Sequence, residues 1–534
     1  MADSAPLTES PVGKALPRVD GPLKVSGTAM YTADFHFPGL LYAVPVTATV
    51  ANGTIAGIDT TAAAKKPGVH AIYTHGNIGR FYRIAPNSDF SAVVDEKRPP
   101  LEDDTVRYYG QYVAVVVADT LEQAEAAAGM VRVSYNAASP KTDSNLEAAD
   151  KPTTDSVRGD VDKVFAAGPV AIDHVYVTPD EVHNPIEAHA TVAVWDGSSV
   201  TLYETTQAVE NHRQVLSQML GIPGENVRII MRFLGSGFGG KLWPWTHSLL
   251  AAASARNLGR PVKLVVSRKM MFSSCGHRPR TSQRIRLSAT SDGKLTSLQH
   301  DYVSQTSILD DYKENCGEAT PFLYSTPNLR VTSALARRNV GTPTSMRGPG
   351  AVPGLFALES GMDELAIALK MDPVEFRLRN EPSMDEGLNI PFSSRHLKEC
   401  LTEGARRFGW QDRDPAIGAM KRDGLMVGWG VAGASWLAAR FDCSAGVEFL
   451  ADGGLRVSCG TQDIGTGTYT VFAQVASDAT GVPVDRIEVV LGDTRFPAGP
   501  VSGGSMVTAS LIPAVQAAVS KAGEKLVGVA VATP

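Results

Sequence analysis

Cysteine is scarce in this chain: five in 534 residues, Cys275, Cys316, Cys400, Cys443 and Cys459, with no Cys-x-x-Cys among them. An odd and scattered set argues against a disulfide framework and against a cysteine-built zinc or iron–sulfur site. It fits reduced thiols in a cytosolic compartment. No run of 18 apolar residues occurs, so no spanning helix is expected, and the opening MADSAPLTESPVGKALPRVDG lacks the apolar core of a signal peptide. Positive charge is not in surplus either. Fifty Lys and Arg against 56 Asp and Glu give a formal charge of -6, which leaves no footprint for nucleic acid or an anionic membrane.

Glycine and proline, by contrast, are plentiful, at 50 and 33 residues. They predict many short strands joined by tight connections. A chain of 534 residues exceeds one ordinary core, so several domains are expected. The fold class is α+β, mixed α/β. Composition divides the chain into an N-terminal arm at residues 1–17, a small α/β domain at 18–140, a polar linker at 141–157, a first large region at 158–415 and a second at 416–534. Within the small domain YGQYVAVVVA (109–118) reads as a strand, 121–131 as an alanine-rich helix and 131–135 as a second strand. That spacing predicts one compact α/β unit.

The densest glycine cluster is FLGSGFGGKLW, residues 233–243, with Gly235, Gly237, Gly239 and Gly240. A strand is expected before it, at 225–231, and a helix after it, at 246–257. Gly235, Gly237 and Gly240 satisfy G-x-G-x-x-G, but no acidic residue follows about 20 residues on, and Leu242 stands where a P-loop needs Ser or Thr. Two readings stay open: a turn packed against a neighbouring strand, or a backbone cradle for an anion or cofactor. The chain also echoes itself. Residues 207–240 run helix, Gly-Ile-Pro, strand, glycine cluster, and residues 467–504 run helix, Gly-Val-Pro, strand, GPVSGG, with Gly221 and Gly481 in the same role. Two similar α/β units, holding one elongated ligand between two glycine turns, account for this recurrence.

Other residues carry possible chemistry. His183, Glu187 and His189 in EVHNPIEAHA crowd three potential ligands together, but Pro185 breaks a helix between them. A buried polar turn with Glu187 bonded to backbone fits better than a metal site. Arg347 in MRGPG offers a guanidinium for a planar anion or for developing charge, or else holds a loop carbonyl. Gln207 lies at a strand–helix join, where it can serve as donor and acceptor or simply cap the helix. Ser236 is not in a nucleophile elbow, since Leu234 and Phe238 occupy the elbow's glycine positions. The run 502–510 can cradle phosphates or form an ordinary turn.

Taken in order, RVDGPLKVSGTAMYTAD, VRYYGQYVAVVVADTLEQAEAAAGMVRVSY, HNPIEAHA, TTQ, GSGFGGK, MRGPG and DIGTGTY make the chain resemble the molybdenum-binding large subunit of the xanthine dehydrogenase and aldehyde oxidoreductase family. Within it the resemblance is strongest to the three-subunit bacterial aldehyde oxidoreductases and covers essentially the whole chain. It implies a hammerhead-like N-terminal domain at 18–140 and two molybdopterin-binding regions at 158–415 and 416–534. The implied cofactor is molybdenum on molybdopterin cytosine dinucleotide, with no metal ligand from protein side chains. [2Fe-2S] centres and FAD are implied on partner subunits. On transfer, Gln207, Gly237, Phe238, Gly239 and Arg347 surround the metal end. Gly465, Thr466 and Gly467 match a pterin loop that reads Gly-Gln-Gly in much of the family. Ser502, Gly503, Gly504 and Ser505 lie by the phosphates. Arg347 and Gln207 are the implied catalytic residues.

Two departures sharpen the implied reaction. Leu242 stands where purine-oxidising members have glutamate, and Pro349 where they have phenylalanine. Both argue against xanthine and toward an aldehyde or another carbonyl or heteroaromatic compound, and the reaction the resemblance implies is oxidation of an aldehyde to a carboxylic acid with water as the oxygen source. A heteroaromatic hydroxylase of the isoquinoline or nicotinate type is the alternative within the family, and a cofactor-free scaffold or assembly subunit the alternative outside it. The family's general-base glutamate is expected beyond Pro534, either on a separate C-terminal chain or on a missing part of this one, so the chain alone is expected to be incomplete and inactive. The expected location is cytoplasmic, or periplasmic where a partner carries the export signal.

Overall fold

The computed structural model describes residues 9–84, 92–146, 149–437 and 439–532. The first eight residues of the expected arm, and Pro534, lie outside the described residues.

Burial of both faces decides which strand takes the centre of a sheet. Tyr112–Ala118 is buried at every position, and it lies inside a seven-stranded sheet. The order of that sheet is Val227–Ile230, Ser199–Glu204, Ala190–Asp196, Val262–Val265, Leu41–Thr47, Tyr112–Ala118, Val69–Thr74. Leu41–Thr47 pairs in parallel with Val262–Val265, so the small N-terminal unit shares its sheet with the region that follows. The strand–helix–strand expected at 109–135 does not close into one sheet. Its second strand, Arg132–Ala137, pairs with Gly53–Asp59 in a separate three-stranded sheet. That strand is exposed at four of its six positions, and such a one-sided strand cannot occupy a two-sided centre. The helix between them, Leu121–Ala128, starts where expected because Thr120 and Gln123 form a capping box.

A five-stranded sheet holds Thr153–Arg158, Leu329–Arg338, Leu295–Ser307, Thr281–Ala289 and Val170–Thr178, in that order. The helix Ala351–Leu369 lies across it, and Ala357, Met362 and Leu365 bury against Ile285, Leu287 and Leu298. The polar stretch 141–157 ends in the edge strand Thr153–Arg158, mostly exposed, which is a position where polar residues are at home. No helix among the described residues is long and apolar enough to cross a membrane.

The internal echo is real at the level of backbone angles. In the first unit the strand Ser199–Glu204 leads to the helix Val209–Leu220, whose C-cap Gly221 turns at φ 67°. Pro223 (φ −58°, ψ 143°) then starts a 3-10 turn, Gly224–Asn226, which feeds the strand Val227–Ile230. In the second, Leu455–Cys459 leads to Thr468–Thr480, and Gly481 turns at φ 75°. Pro483 (φ −57°, ψ 142°) opens the 3-10 turn Val484–Arg486 before the strand Ile487–Leu491. Both strand pairs are parallel, Val200 opposite Val227 and Leu455 opposite Ile487. Left-handed glycine followed two residues later by proline ends a helix and re-aims the chain. The 3-10 turn is why the first unit's second strand starts at Val227 and not at Glu225.

Candidate functional site

The two units meet at the carboxyl ends of their strands. Ile230 bridges Asp493, Met231 N–H donates to Gly492 O at 2.7 Å, and Arg228 forks onto the Asp493 carboxylate at 3.0 and 2.5 Å. A side chain at Gly492, which turns at φ 75°, would collide with Met231 O. Both glycine turns leave from this junction, at the strand ends where α/β folds gather ligands.

Gln207, 2% exposed, stitches the turns together. Its Oε1 accepts Gly239 N–H at 3.0 Å and Lys241 N–H at 3.4 Å, and its own N–H donates to Lys241 O at 2.8 Å. Toward the second turn its Nε2 donates to Ser502 O at 2.7 Å while Ser502 N–H returns 2.8 Å to Gln207 O. The helix-cap alternative for Gln207 does not hold. Thr206 Oγ1 takes the Ala208 amide at 2.9 Å, which leaves the glutamine side chain for the loops. Leaving buried amides such as these without an acceptor costs roughly 1–3 kcal/mol each.

The stretch 233–243 is a tightly packed turn. Ser236, Phe238 and Gly239 turn at φ 72°, 57° and 105°. A Cβ on Gly237 would strike Gln207, one on Gly239 would strike Ser345 O, and one on Gly240 would lie 2.9 Å from the His183 ring. Phe238 itself is 39% exposed, and its carbonyl accepts Arg347 N–H at 2.8 Å. The guanidinium of Arg347 is on an exposed residue, and its loop is fixed from behind. Arg278 donates to Met346 O at 2.8 Å and Arg347 O at 2.6 Å, while buried Glu314 accepts Gly350 N–H at 2.6 Å. Pro349 lies in this same loop, so its tie to the glycine stretch runs through Arg347. Leu242 is buried with Gly503 against it: a Cβ there would lie 2.8 Å from the leucine.

The loop 460–467 reaches the same place from the second unit. Ser502 Oγ donates to Gln462 O at 2.7 Å, and Thr461 Oγ1 to Pro500 O at 2.9 Å. Gly465 and Gly467 turn at φ 100° and 91°, with Gly465 O held by Arg18 Nη2 at 2.5 Å. Thr466 contacts Thr468 Oγ1 at 3.3 Å. Gly504 and Ser505 turn at φ 58° and 59° before the helix Met506–Ala532. Sequence reasoning missed Gln462, Asp463 and Arg18. Gln462 had a signal: Thr461-Gln462 follows its strand as Thr206-Gln207 follows the first. Arg18 had none.

HNPIEAHA forms the floor. Glu187 bonds backbone, taking Gly235 N–H at 2.8 Å; His183 donates to Ser345 O at 2.8 Å and His189 to Gly240 O at 3.0 Å. Burial pushes the His183 imidazole down to about 4, pushes His189 well below its usual value and lowers the Lys241 ammonium against the pull of Glu187. The floor is therefore built from neutral histidines that donate to carbonyls.

Three segments match described families. Residues 26–139 match the aldehyde oxidase and xanthine dehydrogenase a/b hammerhead domain, and residues 142–381 and 403–533 each match a molybdopterin cofactor-binding domain. Over 523 residues the chain is 37% identical to the aldehyde oxidoreductase molybdenum-binding subunit PaoC of Escherichia coli K12, across 96% of this chain and 70% of that one. It is 30% identical over 511 residues to the putative xanthine dehydrogenase molybdenum-binding subunit XdhA of the same strain, across 89% and 66%. In fold it is similar to quinoline 2-oxidoreductase from Pseudomonas putida 86, with a TM-score of 0.83 at 22% identity, covering 95% of this chain and 70% of that chain.

Proposed function

The chain belongs to the xanthine dehydrogenase and aldehyde oxidoreductase family as its molybdenum-binding large subunit, and from that premise we propose that it oxidises aldehydes to carboxylic acids. It is the catalytic subunit of a molybdenum hydroxylase. The cofactor we assign is the molybdopterin cytosine dinucleotide, with the iron–sulfur and FAD centres on partner subunits.

The residues suit an anionic pterin dinucleotide, which needs amide donors and close backbone approach. Gly465 turns through positive φ with open space where its Cβ would stand. The helix Thr468–Thr480 opens at Gly467 without a side-chain cap. These two and Thr466 would hold the pterin, and 502–505 its phosphates. When bound, the group supplies the oxidation: an aldehyde and water become a carboxylic acid, two protons and two electrons, and the electrons leave to the partner centres.

The chain's own residues bind and orient. Gln207 has one amide hydrogen fixed on Ser502 O, and the other would be the one offered to the cofactor. Gly237 and Phe238 bring the backbone close on one side. Arg347 holds the substrate's carbonyl oxygen and stabilises its growing negative charge. We assign Leu242 and Pro349 to the substrate pocket, where side chains without charge suit an aldehyde better than a purine.

Leu242 carries the choice of substrate, since a buried leucine against Gly503 gives a purine no carboxylate to bond. Purified with its partners, the complex should carry molybdenum and pterin and turn over aldehydes with a kcat/KM at least ~100-fold above that for xanthine. Faster oxidation of a quinoline or nicotinate ring than of any aldehyde would move the assignment to heteroaromatic hydroxylation. Absence of both molybdenum and pterin would leave a scaffold subunit.

A further inference from the structure

The glycine stretch is held by an ion pair that the chemistry above does not use. Lys241, at the end of the stretch, has a side chain with no exposure, and its ammonium spends two hydrogen bonds on one residue. It donates to Glu187 O at 2.9 Å and to Glu187 Oε2 at 3.0 Å. The same Oε2 accepts Gly235 N–H at 2.8 Å, and Glu187 N–H donates to Gly235 O at 3.0 Å. Glu187 thus grips both ends of the segment 235–241. Between those ends Ser236 and Phe238, neither of them glycine, are held at φ 72° and 57°. Such conformations persist only where the surroundings over-determine them. A buried ion pair contributes little net stability, but it fixes one geometry.

We propose that Lys241 and Glu187 are positioning residues, which lock 235–241 so that Gly237 and Phe238 present their backbone to the cofactor and Gly239 gives its amide to Gln207. The consequence for the reaction rests on the function proposed above; the clamp itself does not. Two variants test it. Lys241→Met leaves the Glu187 carboxylate buried and unpaired. Glu187→Gln keeps the shape and an acceptor for Gly235 while removing the charge, so it should be the milder.

In the chain itself, amide exchange across 234–242 should rise about tenfold or more in Lys241→Met and less in Glu187→Gln. In the molybdenum-loaded complex, kcat should fall about tenfold or more with KM within about threefold of wild type, and the Mo(V) resonance should shift. Loss of molybdenum together with faster exchange of 234–242 also supports the clamp. Wild-type exchange and kcat in either soluble variant overturn it, and Glu187→Gln alone decides where Lys241→Met does not fold. A wild-type complex without molybdenum defeats the proposed function, while the exchange measurement still decides the clamp.

Discussion

The two βαβ units share their helices' terminal glycines, their prolines and their parallel pairing, yet they differ where strand passes into helix. In the first, only residues 205–208 separate the strand ending at Glu204 from the helix starting at Val209. In the second, residues 460–467 separate Cys459 from Thr468. Both junctions begin alike, Thr206-Gln207 and Thr461-Gln462, and both glutamines are buried. The first chain then enters its helix, and the glutamine side chain becomes the feature that faces the loops. The second continues through Asp463-Ile464-Gly465-Thr466-Gly467, and its backbone becomes that feature. The repeated part is scaffold. On that scaffold the two junctions furnish the candidate site differently, a glutamine side chain from the first and loop backbone from the second.

Gly239 and Gly465 give the sharpest contrast. Gly239→Ala adds strain at φ 105° and drives a Cβ into Ser345 O, whereas Gly465→Ala at φ 100° meets open space. We expect Gly239→Ala to lose cofactor and activity, at least ~1000-fold, because it collides within the protein, and Gly465→Ala to lose about 10- to 100-fold, because it strains φ and fills space given to the pterin without touching the protein. Molybdenum content and turnover of the complex measure this, and equal losses would dissolve the contrast.

Next come the paired glutamines. Gln207→Leu strips an acceptor from two amides and should lower kcat about 100-fold, with Gln462→Leu costing less than tenfold because the Ser502 hydroxyl keeps Gln462 O as acceptor. Equivalent losses would mean that the two junctions act as equals.

Acid should open the first unit before the second. Burial holds His212, in the first unit's helix, down at about 4, and no histidine occurs in 446–491. With its folded value below the unfolded one, its contribution is complete above pH ~6.5 and is lost as pH falls toward 4, up to about 3 kcal/mol. Amide exchange at pH 7 and pH 5 should show 199–230 loosening while 455–491 stays protected. His212→Gln should flatten that response.

The smallest effect separates the twin helix ends. Gly481→Ala meets nothing within 4 Å and should cost about 1 kcal/mol, from its left-handed φ alone. Gly221→Ala also brings a Cβ to 2.5 Å from the Tyr82 ring and should cost more. Apparent Tm of the two variants is the comparison to make.

Much of this was legible in the sequence because it is local. The helix expected ahead of Gly-Ile-Pro is found as Val209–Leu220, and the Gly-x-Pro turns set their own dihedral angles wherever the chain carries them. The glycine cluster, Gln207 and Glu187's bond to backbone could be read from residue type and spacing. Partners distant in sequence could not. Arg18 reaches Gly465 across 447 residues, and Gln207 finds Ser502 across 295. Lys241 read only as a P-loop lysine spoiled by Leu242 after it, until Glu187 stood beneath it. Arg132–Ala137 left its expected sheet because a strand exposed at four of its six positions cannot take a place buried on both faces, and its partner Gly53–Asp59 lies far back in the chain.

The sequence by itself therefore determined the elements, the repeat and the resemblance, since backbone preferences and side-chain periodicity act within a turn or two. Tertiary structure alone decided that the two glycine turns close on one glutamine and that a buried lysine and glutamate hold one of them. Those depend on which strand ends are brought together by burial, and no local preference records that.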